Sequence, residues 1–134
     1  MAGETDLAKL LRTLRPVLHP GVYVFVSLKP GERQPRGMAP IMTFREREGW
    51  TIVVREDEAR SAGLGGEFRC RMISLEVHSS LAAVGLVAAI AARLAKSSIA
   101  VNIVSAYYHD HFFVPADRGE EALAILNSLS GGDA

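Results

Sequence analysis

The chain has 134 residues, 49% of them hydrophobic, with fifteen Lys and Arg balanced by fifteen Asp and Glu and a single cysteine, Cys70. That length buries roughly two-thirds of the unfolded surface, enough for one core or two small fused ones, and the even charge leaves no field to gather nucleic acid or an anionic membrane. One cysteine excludes an internal disulfide framework and points to a reducing compartment, so a cytoplasmic location is expected.

At the amino end, Glu4 and Asp6 precede the leucines, unlike the basic-then-apolar order of a secretory signal. Leu7, Leu10, Leu11 and Leu14 repeat at the spacing of one helix face, with Thr5 or Asp6 to cap the start and Pro16 to stop it. GVYVFVSL (21–28) is β-branched and aromatic on both faces, as a strand buried on both sides is. KPGERQPRGMAP (29–40) gathers Pro30, Pro35, Pro40, Gly31 and Gly37 and reads as a loop. IMTFRERE alternates Met42 and Phe44 against Thr43 and Arg45, and a tight turn at Glu48-Gly49 leads into WTIVVR, giving a hairpin. Asp57 to Ala62 forms a brief helix closed by Gly63.

In EFRCRMISLEV the apolar positions run 68, 70, 72 and then change phase to 73, 75, 77, which predicts a bulge or a change of neighbours near Met72. Ser79 or Ser80 is placed to cap a helix running from Leu81 to Lys96. The uncharged stretch Leu81 to Ala92 within it is shorter than the roughly 18 residues of a membrane span. Ile99 to Ala106 and His111 to Val114 read as a second hairpin, and Asp117 with Glu120 opens a last helix with Ala122, Ile125, Leu126 and Leu129 on its inner face. Counted from Phe68 the order is strand, helix, strand, strand, helix. A fourth strand must come from the amino-terminal half or from another subunit.

That order, with the wording SSLAAVGLVAAIAARLAKSSIAVNIVSAYYHDHFFVP, resembles the ACT domain, a βαββαβ module that binds amino acids and regulates biosynthetic enzymes. TFRERE followed by WTIVVRE, and later AVNIVSAYYHDHFFVP, is similar to stand-alone proteins of two ACT-like halves, whose carboxyl-terminal half is similar to the regulatory end of aspartokinases. The first half departs from the pattern, since a proline-rich loop stands where a helix is expected between its first two strands. The resemblance implies an α+β, ferredoxin-like tandem with antiparallel sheets and helices on one face, divided into halves 1–64 and 65–134. It implies no chemistry and no cofactor. It also places an amino-acid ligand at the turn from first strand to first helix and along the next strand, here His78 to Ala82 and Val101 to Val104.

The residues support that placement in part. The first N–H groups of a helix lack intrahelical partners and carry partial positive charge, which suits a carboxylate. His78, Ser79, Ser80, Leu81 and Ala82 are therefore the expected ligand contacts, with Asn102 and Ile103 on the adjoining strand and Thr43 or Arg45 from the other half. Each also has a plainer reading: a serine-capped helix, a turn-forming asparagine, an arginine in a solvated ladder of charges.

His109 and His111 lie two apart, the spacing that lets strand neighbours ligate zinc. The hairpin turn is expected near Tyr108 to Asp110, which takes His109 out of line, and no third ligand has diagnostic spacing, so no metal is expected. Ser79 and Ser80 beside His78 lack an orienting acid, Cys70 reads as apolar packing, and the glycines at 63, 65 and 66 lack a phosphate-loop ending. The expected function is a non-enzymatic regulatory module binding a small amino acid or related carboxylate, with a homodimer as the assembly. The alternative is a ligand-free module for oligomerisation or for assembly with a partner enzyme.

Overall fold

The computed structural model describes Gly3 and residues 5–130, so the readings on Glu4 and on the tail at 131–134 lie outside the described residues. Packing divides the chain into two compact units, a composite unit of Met1–Pro20 with Arg71–Ala134 and an inserted unit of Gly21–Cys70. The compact units are thus drawn differently from the linear halves 1–64 and 65–134. The cause is the amino-terminal segment, which packs with the carboxyl-terminal elements.

In the composite unit, helix α1 (Leu7–Arg12) is capped by Asp6, whose carboxylate takes the Lys9 N–H at 3.2 Å. Pro16 does more than stop a helix: it opens strand β1 (Pro16–Leu18), which pairs antiparallel with the end of β5 (Glu67–Leu75) through Pro16↔Leu75 and Leu18↔Ile73. β1 is the fourth strand that the carboxyl-terminal elements lacked. Helix α3 (Leu86–Lys96), β6 (Asn102–Ser105), β7 (Asp110–Pro115), one turn of 3-10 helix at Ala116–Arg118 and helix α4 (Gly119–Ser130) complete the unit, with strand order β1-β5-β7-β6.

Along β5 and β7, Ile73, Leu75, Phe112 and Val114 point to one face and pack with Leu10, Ile90, Leu94 and Leu126 from the three helices. All eight are fully buried, so the helices share one side of the sheet. Each such aliphatic or aromatic side chain contributes about 1.5–3 kcal/mol by leaving water.

The inserted unit contains β2 (Tyr23–Leu28), β3 (Met42–Glu46), β4 (Gly49–Arg55), helix α2 (Glu56–Ser61) and the first residues of β5, in the order β3-β4-β2-β5. β2 lies between β4 and β5; Val24, Val26 and Leu28 are buried on one face with Ile52, while on the other Tyr23 is buried, Phe25 half-buried and Ser27 exposed, so only one face is fully covered and not both as expected. The hairpin turn is Arg47-Glu48, one residue earlier than expected, and Gly49 opens β4. Gly49 has φ 136°, and a Cβ there would collide with the Leu28 carbonyl, so the position requires glycine.

The phase change in β5 after Met72 coincides with a change of neighbours. Its neighbour changes from β2 at 67–70 to β1 at 73–75. Its register against β2 also shifts between Tyr23 and Phe25, opposite Cys70 and Glu67, with Phe68 at φ 55°. The irregularity therefore falls at Phe68 rather than at Met72.

Candidate functional site at the opening of α3

The residues expected to begin a helix at Leu81 do not do so. Ser79 Oγ donates to Asp110 Oδ2 at 3.1 Å with both residues buried, while the Ser80 hydroxyl and carbonyl accept the N–H groups of Ala82 and Ala83 at 3.0 and 2.9 Å. These bonds make a turn in place of a first helical turn, because serine offers the backbone a local alternative to the helix. The helix starts at Leu86, after Gly85 at φ 99° with no side-chain cap. Ala89 N–H to Gly85 carbonyl, 2.9 Å, is its first intrahelical bond, so the N–H groups of Leu86, Val87 and Ala88 open the helix without partners in it.

Those three residues line a small cleft of about 110 Å³, whose other walls include Ser79, Ser80, Leu81, Ser105 and Asp110. Partial positive charge from the helix start and the Asp110 carboxylate thus share one space. Asp110 was expected in a hairpin turn. It is instead the first residue of β7, paired with Ser105, and the turn is closed by Ala106 N–H to the His109 carbonyl at 3.0 Å.

Of the expected contacts, Ser79, Ser80 and Leu81 line this cleft. His78 packs its ring on Tyr108, with centroids 5.3 Å apart, and Ala82 is turned outward and exposed. Asn102 and Ile103 do not line it, although their strand does. α3 rises about 16 Å over its eleven residues, and β6 begins only after the helix has ended, so it is Ser105, about 10 Å further along, that returns to the helix start. Thr43 and Arg45 belong to the inserted unit, where Thr43 lines a separate cleft and Arg45 is exposed.

Sequence reasoning missed a second polar cluster, on the opposite face of the composite sheet. Ser74, buried between the inward-facing Ile73 and Leu75, has its Oγ 2.8 Å from His19 Nε2 and 2.6 Å from His111 Nδ1. A hydroxyl donates once and accepts twice, so at least one of the two imidazole nitrogens donates to Ser74 and at most one accepts from it. Burial holds the His111 pKa below its ordinary value, His109 and His19 push it the same way, and Asp110 opposes them. The cluster depends on β1 lying beside β5, and Ser74 interrupting an apolar run was the signal available.

His109 and His111 have ring centroids 6.5 Å apart and nearly perpendicular rings. Among the described residues no group of three or more His, Cys, Asp or Glu side chains is placed to hold a metal. Burial raises the Cys70 thiol pKa to about 12, and its Sγ donates to the Tyr23 carbonyl at 3.4 Å. No helix among the described residues is long and apolar enough to cross a membrane.

Comparison with known proteins follows the same lines. Two family models, both described as ACT domain, match residues 2–71 and 67–128. A protein of unknown function from Vibrio cholerae, described as a possible transport protein, is 38% identical, with 90% of this chain and 93% of that one covered and a TM-score of 0.79. A protein from Agrobacterium tumefaciens is 18% identical, covering 87% and 89% of the two chains at a TM-score of 0.69. The ligand-free regulatory subunit of aspartate kinase from Thermus thermophilus is 17% identical, covering 85% and 95% at a TM-score of 0.63. Among curated proteins, none matches the chain.

Proposed function

The chain belongs to the ACT domain family, and on that premise we propose that it is a regulatory, ligand-binding module without chemistry of its own, whose ligand is a small free amino acid. The observation that carries this reading is the meeting, in one cleft, of the helix N–H groups at 86–88 with the Asp110 carboxylate. A free amino acid offers both complements: its carboxylate suits the helix start and its ammonium suits Asp110. A simple carboxylate would meet Asp110 with nothing to compensate, so the amino acid is favoured over it. A space of about 110 Å³ restricts the side chain to a small one. Ser79 holds Asp110 in position, and Ser80 and Leu81 form the wall.

The assembly proposed with it is a homodimer in the cytoplasm. β3 is an edge strand of the inserted unit's sheet, and Phe44 on it is 64% exposed, the kind of apolar edge that a second strand covers.

Thermal unfolding across the common amino acids tests the ligand. A binder at a hundred times its dissociation constant adds about 2.7 kcal/mol of stability, and Asp110→Asn, which keeps size and the bond from Ser79, is expected to abolish that gain. A ligand-free assembly module would instead respond to protein concentration alone. Failure of every amino acid to raise the midpoint refutes the reading.

A further inference from the structure

The turn that joins β5 to α3 supplies one wall of the cleft, through Ser79, Ser80 and Leu81. The same stretch of backbone is touched by the amino-terminal arm, Gly3 and residues 5–18, none of which lines the cleft. A Cβ built on Gly3 would lie 2.7 Å from the His78 carbonyl oxygen and 2.8 Å from the Ser80 nitrogen. Both distances are inside van der Waals contact, so Gly3 rests on the turn with no room for a side chain.

The arm meets the turn at its two ends as well. Just before it, the Arg15 carbonyl takes the Glu76 N–H at 2.9 Å. At its close, a Cβ on Gly85 would lie 3.1 Å from Leu7 Cδ2, and Leu7, Val77 and Ala83 all pack against the core that holds Leu10, Leu14 and Leu86. Between these contacts Leu81 and Val84 are 67% and 82% exposed, so their side chains add almost no packing to hold the turn. A segment with so few buried apolar contacts opens locally at small cost unless something outside it resists.

We propose that the arm is a strap that keeps the 79–85 turn in its ligand-binding form, which makes affinity at the α3 cleft depend on a docked arm and rests on the reading of that cleft as an amino-acid site. Ser79, on the stretch that Gly3 touches, carries the bond that positions Asp110. With the arm lifted, the Ser79 hydroxyl is free to leave Asp110, and the carboxylate loses the donor that aims it. Undocking therefore lowers affinity, and bound ligand holds the arm down by the same factor.

Gly3→Ala is the smallest change that parts arm from turn, and Gly65→Ala, where a Cβ meets nothing within 4 Å, is its control. Amide hydrogen exchange and calorimetric titration of the full chains read the two sides, with the amino acid that most raises the parent's thermal midpoint as ligand. Without ligand, Gly3→Ala is expected to speed exchange of the Ala82 and Ala83 N–H groups about fivefold or more and, with ligand, to weaken binding by a similar factor, while Gly65→Ala does neither. In the parent, ligand is expected to slow exchange of the Leu10 and Thr13 N–H groups, which bond to the Asp6 and Lys9 carbonyls of the arm. Unchanged exchange at Ala82 and Ala83 in Gly3→Ala overturns the strap whether or not a ligand is found. So does unchanged affinity, or an equal loss in Gly65→Ala. A parent chain that binds no amino acid instead refutes the reading of the cleft, and its regulation with it.

Discussion

The composite unit and the inserted unit follow the same strand order, yet one covers its sheet with three helices and the other with α2 and a loop. The difference is written locally. LVAAIAARLAK is made of good helix formers with no proline, whereas KPGERQPRGMAP carries three prolines and two glycines and cannot keep a helical hydrogen-bond ladder. The consequence reaches the clefts. Where a helix follows the first strand, its opening borders a cleft of about 110 Å³; where a loop follows, a cleft of about 440 Å³ remains, bordered by side chains of the loop and strands. One topology therefore yields clefts of different size and lining.

The sharpest way to break this comparison is through stability. Leu94→Ala in α3 removes a fully buried side chain and is expected to cost about 2–5 kcal/mol in urea denaturation, while Met38→Ala, the loop's contact with its core, is expected to cost less than half as much. Equal costs would mean that the loop is as structural as the helix. Next in size, Ser79→Ala withdraws the hydroxyl from buried Asp110 and is expected to destabilise by about 1–3 kcal/mol, against roughly 0.5 or less for Ser80→Ala, whose bonds only shape a turn.

A smaller effect concerns pH. The folded chain disfavours charge on His111 because the ring is partly buried and faces His19 and His109, with Asp110 opposing. Its folded pKa lies below the unfolded one, so the unfolded chain binds the proton first as pH falls. The contribution to stability is therefore whole above an unfolded value near 6.5 and is lost as pH falls through the folded pKa. Urea midpoints between about pH 8 and pH 5 are expected to fall less steeply in His111→Asn than in the parent chain. Equal slopes would remove His111 from the account. Smallest of all, Cys70, with its pKa raised to about 12, is expected to resist iodoacetamide at neutral pH until the chain is unfolded.

Much of the fold was legible because it rests on patterns of short range. The β-branched and aromatic run of β2, the apolar spacing within β5, the alanine-rich helix, the proline-rich loop and the two hairpins all announce themselves in adjacent residues. What was not legible is what distant segments do for one another. β1 is three residues long and begins with proline, so only its pairing with β5 makes it a strand, and the His19, Ser74, His111 cluster exists only through that pairing. The start of α3 was misplaced by five residues because Ser79 and Ser80 are good cap residues in isolation. Ser79 is bonded to Asp110, thirty-one positions away, and Gly85 sets the real start. Asn102 opens β6, at the other end of that strand from Ser105, which borders the cleft at the start of α3.

Backbone amide shifts, followed by nuclear magnetic resonance while the chain is titrated with the amino acid that most raises its thermal midpoint, test the central claim most directly. The account predicts that the largest changes fall on Ser79, Ser80 and residues 86–88, with Thr43, Trp50 and Asn102 unmoved, and that Asp110→Asn erases them. Changes concentrated on Asn102 or on the 29–41 loop, with the amides at 86–88 unmoved, would contradict it.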